Sequence, residues 1–438
     1  MSRAADIAAD VAARVAAGVT AGVPVAVADT PVAGPPLPLH GIRVVEFTHM
    51  VMGPTCGMVL ADLGAEVIKV EPLAGDNTRR LLGSGAGFFA QFNRNKQSLA
   101  VDVKSPRGLE IVLRLVAGAD VFSENFKSGT MDGLGLGETA LRTLNPRLVH
   151  VSHKGFLPGP YDNRTALDEV VQMMAGLAYM TGPEGRPLRA GTSVNDIMGG
   201  MFGAIGVLAV LHRRDRAGTG TGQGGSVSSA LVENNVLRVA QHMMQCAVTG
   251  QPAAPMPSRI SAWAVYDVFT VAGGEQIFLA TVSDKQWQLL CREFAFDDLL
   301  ADPRLASNNH RVRARDWLLP LLRERLASLT AAELAQRFER NGLPYAPITR
   351  PQDLFNDPHL RATGGLAEVH VPADASAAGH ALDTRSALLP LTVDGRRLPL
   401  RTGPPALGAH TRSLLHSLGY AAEAVDRLQA DGVVRAAE

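Results

Sequence analysis

From Gly41 onward, the apolar positions switch between a period of about two and one of about 3.6, the two signatures of strand and helix. Ile42 to Phe47 is a short apolar run, Gly53 to Leu63 a helical stretch with Pro54 in its first turn, and Ala65 to Val70 a second β-rich run. That order predicts a βαβ unit. Ser98 to Val103 reads as a strand, and Ser105-Pro106 then form a cap and first-turn pair for a helix with Leu109, Val112, Leu113 and Val116 on one face. Asp120 to Glu124 and Leu148 to Ser152 add two strands. Strands alternating with helices over residues 41–155 predict an α/β fold on a parallel, doubly wound sheet, with a ligand crevice at the carboxyl ends of its strands. The loops after Phe47, Val70, Glu124 and Ser152 should line it.

Residues 168–212 read as mainly helical and rich in Met and Gly, ending in His212-Arg213-Arg214 before a Gly-rich turn at 218–225. From about 240 to 345 the character shifts to aromatic strand candidates, Trp263 to Thr270 and Gln276 to Val282, followed by Leu- and Ala-rich helices. This predicts a second domain. Pro344, Pro347 and Pro351 interrupt the chain before a last segment with a helix from about His410 to Leu418. Residues 1–40 form an N-terminal extension. In it Ile7, Val11 and Val15 make one stripe of a short helix, and Pro31, Pro35, Pro36 and Pro38 rule out any further helix.

Composition narrows the function. The 438 residues carry 42 Lys+Arg against 42 Asp+Glu, with 46% hydrophobic and 19% charged, enough to bury a large core. A net charge of zero excludes a non-specific nucleic-acid binder, so any anion must meet a local basic patch. The three cysteines, Cys56, Cys246 and Cys291, show neither metal-ligand nor disulfide spacing, which points to no metal and a reducing, cytoplasmic setting. The longest apolar run, Ile197 to Leu211, has 15 residues including four glycines, below the ~18–20 that cross a bilayer. It is expected to be a buried helix, with no membrane partner. The extension, with Asp6, Asp10 and Asp29, fits neither a signal nor a transit peptide.

Two glycine patterns invite a nucleotide reading. Gly220 to Gly225 matches GxGxxG by letter but follows a charged helix end rather than a strand. The Gly53 to Gly57 turn lies between strand and helix, where amides can receive an anion or the helix can pack closely on the sheet. Lys69, Arg79, Arg80, Arg94, Lys96, Lys127 and Lys154 cluster at strand ends and the loops after them, suited to a phosphate-rich ligand such as a nucleotide or coenzyme A. Asp168 stands where a loop gives way to an apolar helix. Either it or Thr165 is expected to cap that helix, and a carboxylate so held and partly desolvated has what a nucleophile needs. Cys56, near another helix start, is expected to be a buried structural thiol. HExxH, GxSxG and Walker A patterns are absent from the sequence.

Gly53-Pro54, Asp62 to Pro72, Gly75-Asp76, Asn93-Arg94-Asn95-Lys96, Glu124-Asn125-Phe126, Ala166-Leu167-Asp168, Gly342-Leu343-Pro344 with Pro347, and Leu407 to Thr411 occur in one order over about residues 40–425. In that order the chain resembles the class III coenzyme A transferases, the family of formyl-CoA transferase and the carnitine CoA-transferases. The resemblance implies a Rossmann-like large domain built from both chain ends, here 41–225 and 351–438, a linker and small α+β domain over 226–350, and two protomers interlocked as a homodimer. It implies that Asp168 attacks an acyl-CoA thioester to form a mixed anhydride, then an enzyme-CoA thioester, before a free carboxylic acid completes the exchange. CoA is then substrate, and no tightly bound cofactor is needed. Asn125, Lys96 and Lys154 would hold CoA, together with Lys69, Asn95 and Lys127; Met50 and Val51 would lie near its thiol arm and Met201 beside the reacting end.

Two departures matter. Formyl-CoA transferases carry a glycine run where this chain reads Ala254 to Trp263, which offers Arg259 instead; Arg259, or Arg189 downstream of Asp168, can pair with a second carboxylate, so a dicarboxylate is expected. The α-methylacyl-CoA racemases, an alternative on the same fold, place His before the aspartate; here Leu167 stands there. A non-catalytic acyl-CoA binding protein is the third reading, and it predicts no covalent adduct at Asp168.

Overall fold

A computed structural model describes Asp6, Ala9, Asp10 and residues 12–15, 36–162, 164–216, 218–259 and 261–437. Ile7, Val11, Pro31 and Pro35 lie outside the described residues. Val15 is buried in the large core with the sheet residues Val45 and Ile68, so this part of the extension contributes to the core. The chain divides into two compact units, one drawn from residues up to Gln251 and from His359 onward, the other Pro252–Pro358.

The larger unit is built on a seven-stranded sheet. Its strands are β1 (Arg43–Phe47), β2 (Glu66–Glu71), β3 (Lys96–Val101), β4 (Val121–Glu124), β5 (Val149–Lys154) and β6 (Gly225–Ala230). They run parallel in the order β3-β2-β1-β4-β5-β6, and Val434–Arg435 adds an antiparallel edge beside β3. That order reverses direction between β1 and β4, the switch point at which doubly wound sheets open a ligand crevice. β1 is buried at every position because helices cover both faces, which also explains its unbroken apolar run. In register, Val45 faces Ile68 on one side and Phe122 on the other.

Five helices matter for the site or the core: α1 (Met52–Asp62), α2 (Pro106–Ala117), α3 (Asp168–Met174), α4 (Val194–Asp215) and α5 (Leu231–Thr249). Ser105 caps α2 by accepting the Gly108 N–H, with Pro106 in the first turn as the grammar predicts. α4 runs 22 residues, longer than its apolar run, and with mean hydropathy 1.7 over its best stretch it is long and apolar enough to cross a membrane by length and composition. The helix is thus longer than the apolar run read from the sequence. The polar ends Val194–Asp196 and His212–Asp215 extend the helix past the apolar run, and 39% of the stretch is buried. α5, expected within the linker, falls in the larger unit.

The smaller unit carries an antiparallel sheet of β7 (Val265–Thr270), β8 (Gln276–Thr281) and β9 (Tyr345–Pro347), with a core that includes Phe269, Leu279, Trp287, Leu318 and Phe338. In the larger unit, β10 (Leu366–Val371) and β11 (Leu382–Ala387) pair as a hairpin that the sequence reading does not contain. The last predicted helix is present as Thr411–Ser417.

Candidate active site

Asp168 is the first residue of α3, yet it caps a different helix. Leu167 is the N-cap of α3 and supplies no side-chain bond, and its side chain is 61% exposed. Asp168 Oδ2 instead accepts the backbone N–H of Asn195 at 2.8 Å and of Asp196 at 3.1 Å, the first turn of α4. Ser193, the N-cap of α4, provides no side-chain bond, so Asp168 satisfies amides that would otherwise be orphaned at a positive helix end. Asp168 Oδ1 accepts from Gln172 Nε2 at 2.5 Å. Gln172 is fully buried, and its own Oε1 accepts the Ala190 N–H at 2.7 Å.

Packing carries this carboxylate to the carboxyl end of the sheet. A Cβ on Gly155, just past β5, would collide with Ala166 Cβ, so the loop returns tightly and delivers α3 there. Val171 of α3 is buried with Met52 of α1 and Leu231 of α5. Gly200 lets α4 approach α1 so closely that a Cβ would strike the Met52 carbonyl oxygen. From α5, Asn235 Nδ2 donates to Ala175 O at 2.8 Å and Asn234 Nδ2 to Asn195 O at 2.7 Å. The Arg238 guanidinium donates to Val194 O at the start of α4. Burial pushes the Asp196 carboxyl up to about 7, and the neighbouring Asp168 carboxylate adds to the rise while Arg189 opposes it. Burial also lowers Arg238, against the pull of Asp168.

At the switch point the loops after β1 and β4 lock together. Asn125 Nδ2 donates to His49 O at 2.8 Å and Asn125 Oδ1 accepts the His49 N–H at 3.0 Å. Met50 follows with φ 63°, its N–H held by Thr78 Oγ1 at 2.9 Å, and it is 40% exposed, while Val51 is sealed. Lys154, at the end of β5, is half-buried and bridges Glu124 Oε1 and Phe126 O, each at 2.7 Å. Lys127 is exposed, as is Met201 on α4.

The sequence profile described as CoA-transferase family III matches residues 39–411. The chain belongs to that family. It is 35% identical over 412 residues to an acyl-CoA transferase of Fusarium pseudograminearum, covering 90% of this chain and 88% of the relative. It is 31% identical to a succinyl-CoA:glutarate CoA-transferase of Mus musculus, covering 91% and 90%. Among solved structures, a CaiB/BaiF family protein from Brucella suis aligns with TM-score 0.76 at 31% identity, covering 88% of this chain and all of that one. The protein is thus a CoA-transferase, an enzyme acting on CoA thioesters.

Within this CoA-transferase several expected CoA ligands are occupied elsewhere. Lys96 is buried, with Nζ bonded to Glu46, Pro54 O and Asn93 Oδ1. Lys69 is buried, with Nζ on Thr48 O at 2.7 Å and Asp76 Oδ2 at 3.0 Å. Asn95, at φ 60°, donates to Asp62 and accepts the N–H groups of Arg401 and Thr402. Of the basic cluster, Arg79 pairs with Glu71 and Arg94 with Asp62, both inside the protein. These are corrections: the cations complete internal ion pairs and present no charge to a phosphate. The Gly53 to Gly57 turn resolves as close packing, since a Cβ on Gly57 would strike Glu46 Oε2. Cys56 is buried, and burial pushes its thiol up.

Arg189 pairs with Glu169 at 3.1 Å on the surface of the larger unit. Arg259 belongs to the smaller unit, donates to Met256 O, and lines a cavity of about 210 Å³ with Tyr266, Asp267 and Arg315. Sequence reasoning missed Gln172, Asn195, Asp196 and Arg238. Gln172 carries a usable signal, because a residue four positions after Asp168 on a helix shares its face; the others are joined to Asp168 by tertiary contact alone.

Proposed function

We propose that the enzyme moves CoA from an acyl-CoA donor to a free dicarboxylic acid through covalent intermediates on Asp168. The observation that carries this reading is the fixed Asp168 carboxylate, with backbone donors on Oδ2 and an amide donor on Oδ1, at the carboxyl end of the sheet. A carboxylate and a thiolate are both competent nucleophiles, so the exchange needs donors for its anionic intermediates rather than a base. The dicarboxylate follows the relative named for succinyl-CoA and glutarate, with Arg259 or Arg189 proposed to pair with its second carboxylate. Met50, Asn125, Lys127, Lys154 and Met201 remain the CoA-facing residues in this reading, whereas Val51, sealed in the interior, does not.

The active species is proposed to be a homodimer. Val170, Met173, Ile205, Met244 and Val248, spread over α3, α4 and α5, are 44–78% exposed in the single chain. An apolar face of that kind is what a second copy would cover. Free Cys56, Cys246 and Cys291 suit the cytoplasm. Intact-protein mass spectrometry after incubation with succinyl-CoA or glutaryl-CoA tests the chemistry. A CoA-sized adduct on the wild type and none on Asp168→Ala is expected; an adduct on both, or on neither, overturns the reading.

A further inference from the structure

The two oxygens of Asp168 are differently occupied. Oδ2 accepts two backbone N–H groups, from Asn195 at 2.8 Å and Asp196 at 3.1 Å, whereas Oδ1 accepts one bond, from Gln172 at 2.5 Å. An ionised carboxylate has about four lone-pair sites, two on each oxygen. Oδ2 therefore has both sites filled and Oδ1 keeps one free. We infer that Oδ1 makes and breaks every bond in the exchange while Oδ2 is retained for the life of the enzyme, with Gln172 as the positioning residue that stops the carboxylate turning over.

The inference rests on the covalent route proposed above, and the electrons follow it. A lone pair of Oδ1 attacks the thioester carbonyl carbon, the C–S bond breaks, and the thiolate leaves with the pair. The product is an anhydride bridged by Oδ1. The thiolate then attacks Asp168 Cγ, and the carbonyl π pair moves onto Oδ2, where the Asn195 and Asp196 amides at the start of α4 receive the charge. Collapse expels the donor carboxylate, which takes Oδ1 away. The acceptor carboxylate attacks Cγ, Oδ2 again holds the charge, and thiolate leaves. An acceptor oxygen now occupies the Oδ1 place. When thiolate attacks the acceptor's acyl carbon, Asp168 is regenerated with a new Oδ1 and its original Oδ2.

Gln172 suits the positioning role because it cannot turn its amide around. Its Oε1 is taken by the Ala190 N–H at 2.7 Å, which leaves only its NH₂ to face Asp168, and the side chain is fully buried. A rotation of the carboxylate would break three hydrogen bonds together.

The test is isotopic. The enzyme is cycled through many turnovers with succinyl-CoA and glutarate made with heavy oxygen in every carboxyl position, then digested, and the Asp168 peptide is weighed. One heavy oxygen at the plateau is expected. Two would show that the carboxylate rotates and would overturn the inference while leaving covalent catalysis intact; none would overturn the covalent reading and this inference with it. Gln172→Met, checked for an unchanged melting curve, is expected to accumulate the second heavy oxygen. If it stops at one, like the wild type, Gln172 has no part in holding Asp168.

Discussion

Lys96 Nζ lies 2.8 Å from Glu46 Oε1, and neither side chain reaches solvent. Burial draws Lys96 down to about 8 even though Glu46 pulls the other way. Two more acceptors, Pro54 O at 2.9 Å and Asn93 Oδ1 at 3.1 Å, complete its three donors, so the ammonium ties β1, β3, α1 and the turn before β3 together. Removing one partner of such a pair leaves an uncompensated buried charge, at a cost of ~3–5 kcal/mol. Lys96→Met should lower the unfolding free energy by that amount in urea titrations. The double variant Glu46→Leu/Lys96→Met should recover most of it. CoA affinity of the folded double variant should stay within about twofold of wild type; a tenfold loss would return Lys96 to the binding site.

Asp196 sets a pH dependence with a definite sign. Its carboxyl is raised from 3.8 to about 7, chiefly by burial and then by Asp168. Between those values the unfolded chain gives up a proton that the folded chain keeps, so stability is fully present below pH 3.8 and is lost as pH rises through about 7. Asp196→Asn should therefore be more stable than wild type above pH 7, by on the order of 4 kcal/mol, with the difference vanishing under acid conditions. Ionised Asp196 also opposes anionic nucleophiles arriving at Asp168. The wild-type rate should fall above pH 7 relative to the variant, and parallel pH profiles for the two proteins would contradict this.

Gly200 holds α4 against α1, and an added Cβ would meet the Met52 carbonyl oxygen and lie 2.6 Å from Thr55 Cβ. Gly200→Ala should cost ~1–3 kcal/mol by overpacking. Because the start of α4 carries the amides that hold Asp168, the same change should lower kcat by at least about tenfold with little effect on the KM for acyl-CoA. A variant of reduced stability and normal kcat would uncouple that helix contact from the chemistry.

Arg259 lines its cavity with Arg315, and Asp267 already takes up Arg315 and Arg323. Arg259→Ala should raise the KM for glutarate by roughly ten- to a hundredfold, the worth of a charge-assisted hydrogen bond, and leave a monocarboxylate of similar length unaffected. Equal KM changes for both acids would remove Arg259 from recognition of the second carboxylate.

Much of the fold was legible because its signals are local. Ser105 and Pro106 mark the start of α2 by cap chemistry, and the apolar runs of β1, β2, β4 and β5 follow from burial on both faces. The hairpin of β10 and β11 left no such mark: its strands have exposed or half-buried positions, and its register depends on pairing across a ten-residue connection, 372–381. Asp168 was found because it begins a helix, but the helix it caps begins 26 residues later, and a cap bond across that distance has no sequence grammar.

The sequence by itself determined the alternation of strands and helices over the first part of the sheet and the family, and it singled out Asp168 as the proposed nucleophile, since periodicity, capping and motif order are properties of neighbouring positions. Tertiary structure alone decided which charges face a ligand. Lys69 and Lys96 read from sequence as part of a phosphate site, yet Lys69 lies within β2 and Lys96 at the amino end of β3, and Asp76 and Glu46 claim them in the interior. A charge taken out of water must find its counter-charge, and only the packed fold determines which residue supplies it.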